Sequence, residues 1–178
     1  FMYLSILAPT VNFQVGNIGD LPLLTDERYK DRIEVLSKEN ISISREDWDD
    51  FEESWDFKKH PFLKKYSSKR LIDIFDDWTT YSINRYNRLK QNEEEINEIF
   101  IKIYNLQNDI THEVIERDIA LRKANRERDI KSFISYAVGC MFGRYSLDEE
   151  GLIYAGGDFD DKFRLRDGQW EIKTKEGW

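Results

Sequence analysis

The sequence predicts a mainly α-helical fold, a bundle of long amphipathic helices with minor β structure. Charged residues make up 35% of the chain and apolar residues 40%, a balance typical of helices with one apolar face and a salt-rich outer face. Residues 68–107 contain neither Gly nor Pro, which favours long helices at the centre. The β structure is predicted as a short strand near residues 10–15 and a hairpin near residues 163–174.

Residues 1–24 are predicted to be the tail of a preceding recognition or catalytic unit. The run FMYLSILAP is apolar up to Pro9. Val11, Phe13 and Val15 then alternate with polar residues, as in a half-buried strand. Because the chain opens on an apolar run without a helix start signal, we expect it to be a piece of a longer protein.

Residues 25–147 are predicted to form a helical scaffold or spacer domain. A first helix begins after Thr25. A second begins at Ser44, where Asp47 occupies the capping-box position usually held by Glu or Gln. The apolar stripes predicted to face the core are Tyr29, Ile33 and Leu36 in the first helix, and Trp48, Phe51 and Trp55 in the second.

Two central helical stretches, residues 68–90 and 93–106, are predicted to form one long or slightly broken arm. Asn92 is a candidate cap between them, and Glu95 three residues later fits a capping box. A short strand is predicted around residues 119–123. The apolar side chains predicted to line the arm are Leu71, Ile74, Phe75, Trp78, Tyr81, Leu89, Ile96, Ile99, Phe100, Ile103 and Leu106.

The last helix is predicted over residues 126–145, with Asn125 as its cap. It contains Gly139 and Gly143, and because a mid-helix glycine costs roughly 1 kcal/mol relative to alanine, we infer a packing reason for both. They share one face with Ser132 and Ser135, predicted to lie close against another backbone element. The predicted core stripe on the opposite face is Ile130, Ile134, Ala137 and Met141.

Residues 148–178 are predicted to be a glycine-containing loop and a β-hairpin that lead into a further domain. Asp167-Gly168 between FRLR and QWEIKT is the hairpin signal. The carboxylates of GGDFDD, at residues 156–161, do not have EF-hand spacing, which favours a solvated loop over a cation site.

Composition and motifs give no support for an active site in this chain. One cysteine and two distant histidines do not form a zinc cluster, and there is no phosphate-binding glycine loop, HExxH motif or nucleophile elbow. No catalytic, cofactor-binding or metal-ligating residue is therefore predicted. No signal peptide or transmembrane segment is found, and the single cysteine fits a cytoplasmic location.

The clearest candidate site is a basic segment, residues 58–70, which contains no acid. Basic side chains around a loop and a helix start can hold phosphates. The alternative, favoured by the residues alone, is a solvated loop that balances Asp73, Asp76 and Asp77. The candidate DNA-binding residues are Lys58, Lys59, Lys64, Lys65, Lys69 and Arg70.

Four stretches resemble a known family, the PglX-type adenine-specific DNA methyltransferases of BREX phage-defence systems. They are NFQVGNIGDLPLL, REDWDDFEESWDFKKHPFL, INEIFIKIYNLQNDITHEV and FISYAVGCMFGRYSLDEEGLIYAGG. The resemblance implies an enzyme that transfers a methyl group from S-adenosylmethionine to the exocyclic amine of adenine. The family's (D/N/S)PP(Y/F) catalytic motif and its cofactor motif have no counterpart here, and we expect both to lie upstream of Phe1.

The resulting hypothesis is a non-catalytic helical region that supports recognition or clamping of double-stranded DNA by its parent enzyme. The net charge of −8 favours an alternative, a scaffold that docks other phage-defence proteins without touching DNA. The missing motifs speak against a third possibility, an independent enzyme.

Overall fold

The computed structural model describes residues 15–19, 22–64, 70–153 and 163–173, without the side chains of residues 17, 18 and 172. The chain is mainly helical with one two-stranded sheet, as the sequence predicts. Short 3₁₀ turns lie at Pro61–Leu63 and Glu116–Asp118. The helices and strands are α1 (Val15–Gly19), α2 (Glu27–Asp49), α3 (Leu71–Ile103), α4 (Arg126–Met141), β1 (Phe163–Arg166) and β2 (Gln169–Ile172).

Helix α2 is one continuous helix of 23 residues, so the predicted second start at Ser44 is wrong. Asp26 caps it by accepting a hydrogen bond from the backbone N–H of Arg28 at 3.0 Å. Asp47, predicted as a capping residue, is buried two residues before the helix ends and contacts α3 instead. The capping pattern at Ser44 is therefore overridden by tertiary packing.

The stripe predicted after Ser44 is only partly a core stripe. Phe51 is buried just beyond the end of α2, whereas Trp48 is half exposed and Trp55 is 96% exposed. Because the chain leaves the helix at Asp50, the 3.6-residue period no longer decides which side chains face inward.

Helix α3 runs unbroken for 33 residues and confirms the long central arm. Asn92 is not a cap: it is buried in mid-helix, and its Nδ2 donates to Asn40 Oδ1 of α2 at 2.9 Å. The helix ends because Asn105 takes a left-handed conformation with φ 58°. The backbone N–H of Leu106 then donates to the carbonyl of Ile101 at 2.9 Å, which completes a Schellman cap.

Helices α2 and α3 pack antiparallel and form the body of the fold. Arg32 pairs with Glu95 at one end, and Tyr81 donates to Glu46 near the other. The apolar contact between them is completed by Ile119, which leads out of the second 3₁₀ turn; residues 119–123 form no strand. This core cluster consists of Ile43, Tyr86, Leu89 and Ile119, with Val114 and Leu121 packed against it.

The far end of α3 also holds the residues that precede α2. The Tyr104 hydroxyl donates to the carbonyl of Pro22 at 2.6 Å and accepts from the backbone N–H of Leu24 at 3.0 Å. The apolar residues before α2 are thereby fixed to the end of the α2–α3 pair.

Helix α4 begins where predicted, since Asn125 Oδ1 accepts from the backbone N–H of Arg128 at 2.9 Å. It ends at Met141 rather than at residue 145, because Gly143 adopts φ +75° and the N–H of Arg144 turns back to the carbonyl of Gly139 at 2.8 Å. Gly143 is thus the glycine of a Schellman cap, a role that requires a left-handed residue.

Gly139 is buried and has the packing reason that the sequence indicates, but its neighbour is a side chain and not a backbone element. A Cβ atom at Gly139 would lie 2.6 Å from Cδ2 of Tyr145, whose ring folds back over the helix. The predicted core stripe on the opposite face is wrong: Ile134 is 56% exposed and Met141 is 82% exposed.

The C-terminal hairpin is confirmed. Strands β1 and β2 are antiparallel, with Phe163 opposite Ile172 and Arg166 opposite Gln169. Asp167 and Gly168 both have positive φ, 50° and 78°, as a type I′ turn demands. The predicted strand near residues 10–15 lies outside the described residues except for Val15, which begins α1.

Candidate nucleic-acid interface

The basic segment connects the end of α2 to the start of α3. His60 caps its 3₁₀ turn, because the ring Nδ1 accepts from the backbone N–H of Phe62 at 3.3 Å. Lys58, Lys59 and Lys64 line one open cleft of about 760 Å³ between these helix ends. Lys65 and Lys69 lie outside the described residues, and Arg70 does not line the cleft.

Each described cation of the segment has a partner within the fold. Lys58 pairs with Glu150 at 3.8 Å, and Lys59 donates to the carbonyl of Leu147 at 3.1 Å. Arg70 pairs with Asp73 at 3.5 Å, one turn into α3. The pairs of Lys58 and Arg70 are exposed, so each contributes at most about 1 kcal/mol and leaves its cation accessible to a phosphate.

Lys64 differs from the other cations because its partner is buried. Its Nζ donates to Oδ1 of Asp50 at 2.7 Å, and the Asp50 side chain is almost completely shielded from solvent. Removing this cation leaves a buried carboxylate with one partner fewer, which is costly. Lys64 therefore has a structural role that the sequence did not predict.

Asp50 belongs to a buried charge cluster that joins α2 to α3. Arg85 donates from Nη1 to Asp50 at 2.7 Å and from Nη2 to Asp47 at 2.5 Å. Burial raises the pKa of Asp47, although the charge of Arg85 opposes the shift. Burial also disfavours the Arg85 charge, but the hydrogen bond to Asp50 and both carboxylate charges outweigh that cost and raise its pKa.

Aromatic rings enclose this charge cluster. The Arg85 guanidinium lies 5.6 Å from the ring centre of Trp78 and 5.3 Å from that of Tyr81. Burial raises the pKa of the Tyr81 phenol. The sequence signal for the cluster is an i, i+3 pair of aspartates at the end of α2 and one arginine within the apolar face of α3, a pattern that periodicity of apolar residues alone does not detect.

Helix α4 is attached to the same end of α3. Trp78 donates from its indole Nε1 to Asp129 Oδ2 at 2.9 Å. Asp129 is buried and also accepts from the N–H of Asn125 and from Nε of Arg128, at 2.9 and 2.7 Å. The carboxylate thus links the start of α4 to the wall of the cleft.

The aromatic residues within and beside the basic segment are mostly core residues. Phe57 makes edge contacts with Tyr136 and Tyr145, with ring centres 5.9 and 5.5 Å apart. His60 is buried between Phe62 and Phe133, and burial lowers its pKa to about 4. These rings fix the base of the loop and are not available to stack on nucleic-acid bases.

The cleft has no excess of positive charge. Four basic and five acidic side chains line it, so its described wall is close to neutral. Within the described ranges no group of three potential metal ligands comes together. The same ranges contain no helix of the length and apolarity that a bilayer span requires. Among the described candidate cations, the side chains of Lys58 and Arg70 are 68% and 75% exposed, against 35% for Lys64.

Comparison with known proteins confirms the resemblance predicted from the four quoted stretches. The chain is 43% identical over 162 residues to the adenine-specific methyltransferase PglX of Lacticaseibacillus casei (strain Zhang), a match that covers 89% of this chain and 13% of the relative. It is 31% identical over 166 residues to the adenine-specific methyltransferase BrxX of Escherichia coli O9:H4 (strain HS), covering 85% and 13%. No family model matches the chain.

Proposed function

We propose, on the premise that this chain is a relative of one segment of the PglX and BrxX adenine-specific methyltransferases, that it is a non-catalytic helical region of a DNA adenine-N6 methyltransferase. The observation that carries the proposal is the 43% identity over 162 residues. Because the chain spans only 13% of each relative, methyl transfer from S-adenosylmethionine would use residues elsewhere in the parent enzyme. The parent would act on double-stranded DNA in the cytoplasm, as part of a BREX phage-defence system.

The role of the region in such an enzyme is to support recognition or clamping of the duplex. A methyltransferase that flips its target base needs protein surfaces outside the catalytic domain to grip the backbone. The α2–α3 pair supplies a rigid support, since the buried Arg85 cluster fixes the two helices at the level of the cleft. Lys58 and Arg70 stand beside it in weak, exposed ion pairs that a phosphate can replace.

Charge reversal of these two residues tests the DNA contact. Lys58→Glu combined with Arg70→Glu in the full-length enzyme should weaken duplex binding and lower the slope of log affinity against log salt by about 2, close to 0.9 per lost phosphate contact. A matched control is Lys30→Glu with Arg117→Glu, which makes the same charge change in exposed ion pairs outside the basic segment. Equal affinities for the two double variants would refute the contact.

Lys64 must be left out of that test, although it belongs to the predicted set. Lys64→Glu places a second carboxylate against buried Asp50 and is expected to lower the melting temperature, whereas Lys58→Glu should leave it nearly unchanged. Thermal unfolding of the two single variants checks this. If both melt like the parent chain, Lys64 has no structural role and returns to the DNA-contact set.

A second candidate function is a scaffold that docks other defence-system subunits without DNA contact. The net charge of −8 favours it, as does the near-neutral wall of the cleft. The same DNA titration separates the two functions, because a scaffold predicts no difference between the charge-reversal pair and its control.

A further inference from the structure

Helix α4 has two apolar sides, and only one of them is used within the described fold. Its inner side carries buried Tyr136, Gly139 and Asp129, whose contacts with Tyr145 and Trp78 attach the helix to the rest of the structure. A helix that is apolar on both sides is typical of one that is covered on both sides. The second side is therefore unexplained by the fold.

This second side forms an exposed apolar stripe. Ile134, Val138 and Met141 are spaced i, i+4 and i+7, so they lie one above another, and Phe142 follows directly after the helix. Their exposed fractions are 56%, 44%, 82% and 84%. We refer to these four residues as the outer apolar face. The exposed ion pair of Lys131 with Glu127 marks its polar boundary toward the start of α4.

The chemistry of the outer apolar face decides which kind of partner fits it. None of its four side chains carries a charge or a hydrogen-bond donor, so the face has no group that could bind a DNA phosphate. Methionine and phenylalanine are enriched at the buried centres of protein interfaces, and a contiguous exposed apolar patch marks such a contact. The partner is therefore an apolar protein surface.

We propose that the outer apolar face is an internal interface, covered by another region of the same methyltransferase polypeptide. This rests on the proposed function, because the partner is the part of the parent enzyme outside the matched region. The share of the relatives that is matched supports this, because the matched region is only 13% of each relative. In a parent enzyme of similar length, most of the polypeptide would lie outside this region. Since it is covalently tethered, it would be present at high effective concentration to cover the face. The outer apolar face then orients α4, and the cleft attached to it, relative to the rest of the enzyme.

Site-specific photocrosslinking in the purified full-length enzyme tests the proposal. A diazirine side chain of methionine size replaces Met141, and a second sample carries it at Asn87, an exposed polar position of α3. We expect position 141 to crosslink within one polypeptide, at several times the yield from position 87. Peptide mapping should place the crosslinked site outside the region matched to this chain.

Other outcomes would overturn the proposal. A crosslinked product of twice the chain mass would identify a second copy as the occupant, and one with a different protein from the defence system would identify an external partner. Crosslinking to solvent only, or a yield no greater than at position 87, would show that the face stays uncovered.

A pair of substitutions provides an independent measurement. In the full-length enzyme, Met141→Lys should raise the rate of limited proteolysis several-fold, because a charge enters an apolar interface, while Met141→Leu should behave like the parent. Equal proteolysis of both variants would contradict the internal interface. Neither readout depends on DNA, so failure of the interface is distinguishable from failure of the DNA contact at Lys58 and Arg70.

Discussion

At the scale of single residues, His60 shows how the base of the basic segment depends on an uncharged imidazole. The ring is packed between Phe62 and Phe133, and its Nδ1 must be unprotonated to accept from the N–H of Phe62. Burial lowers the pKa of His60 to about 4, whereas in an unfolded chain the pKa is near 6.5. Between pH 4 and pH 6.5, His60 therefore binds a proton in the unfolded chain that it does not bind in the folded chain.

The pH dependence of stability follows from this difference. The contribution of His60 is fully present above pH 6.5 and is lost as pH falls from 6.5 toward 4, by about 3 kcal/mol in total. Urea unfolding at pH 7, 6 and 5 measures it. His60→Asn keeps an acceptor for Phe62 without a titrating ring, so it should lose less stability over that range. Parallel curves for the two proteins would count against the buried neutral histidine.

Gly139 gives a second test at the scale of residues. The added methyl group of Gly139→Ala would meet the buried Tyr145 ring at 2.6 Å, and overpacking of this kind costs about 1–3 kcal/mol. This exceeds or cancels the gain of about 1 kcal/mol in helix propensity. Gly16→Ala is the control, because a Cβ atom there has no neighbour within 4 Å. Thermal unfolding should show a lower melting temperature for Gly139→Ala than for Gly16→Ala, and the reverse order would contradict the packing.

At the scale of elements, the pairing of α2 with α3 depends on one buried arginine. Arg85→Met removes the common partner of Asp47 and Asp50 and leaves two carboxylates in an apolar setting, so we expect a loss of about 3–5 kcal/mol. Arg88→Met, one turn further along α3, removes the partly exposed pair with Glu39 and should destabilise the fold much less than Arg85→Met does. Chemical denaturation compares the two variants. Similar losses of unfolding free energy in the two variants would contradict a dominant role of the buried cluster in holding α2 against α3.

The elements also show which features local sequence determines. The continuity of α3 and the β-hairpin were predictable, because the absence of Gly and Pro and an Asp-Gly turn act over a few residues. The start at Ser44 was mispredicted, because Asp47 is recruited by Arg85, 38 residues later in the chain. The orientation of α4 was mispredicted because a helix with two apolar sides gives no periodic signal for which side the fold covers.

The candidate site was predictable only as a composition. The run of cations is visible in the sequence, but the acid that each cation pairs with depends on the tertiary fold. Lys64 pairs with buried Asp50, whereas Lys58 pairs with exposed Glu150, which is distant in the sequence. Phe57 and Phe62 lie beside and within the run of cations, and their burial in the core is likewise a tertiary property.

At the scale of the whole molecule, α4 is joined to the α2–α3 pair through side chains at one end of α3. Trp78→Phe deletes the indole donor to Asp129, a hydrogen bond to a charged group worth about 1.5–3 kcal/mol. Amide hydrogen exchange should then accelerate in α4 more than in α2 and α3. Tyr81→Phe, which removes the exposed hydrogen bond to Glu46 but keeps the ring beside Trp78, is the control and should leave the pattern unchanged. Uniform acceleration after Trp78→Phe would show a single cooperative unit instead.

Trp78 lies two turns into α3 and Tyr104 directly follows its last residue, so 26 residues separate the two side chains along the helix axis. At 1.5 Å per residue they are separated by about 39 Å. Tyr104 holds the chain at Pro22 and Leu24, whereas Trp78 holds α4. Helix α3 therefore sets the distance between these two attachments, and a change of tilt at one of them displaces the other in proportion to that distance.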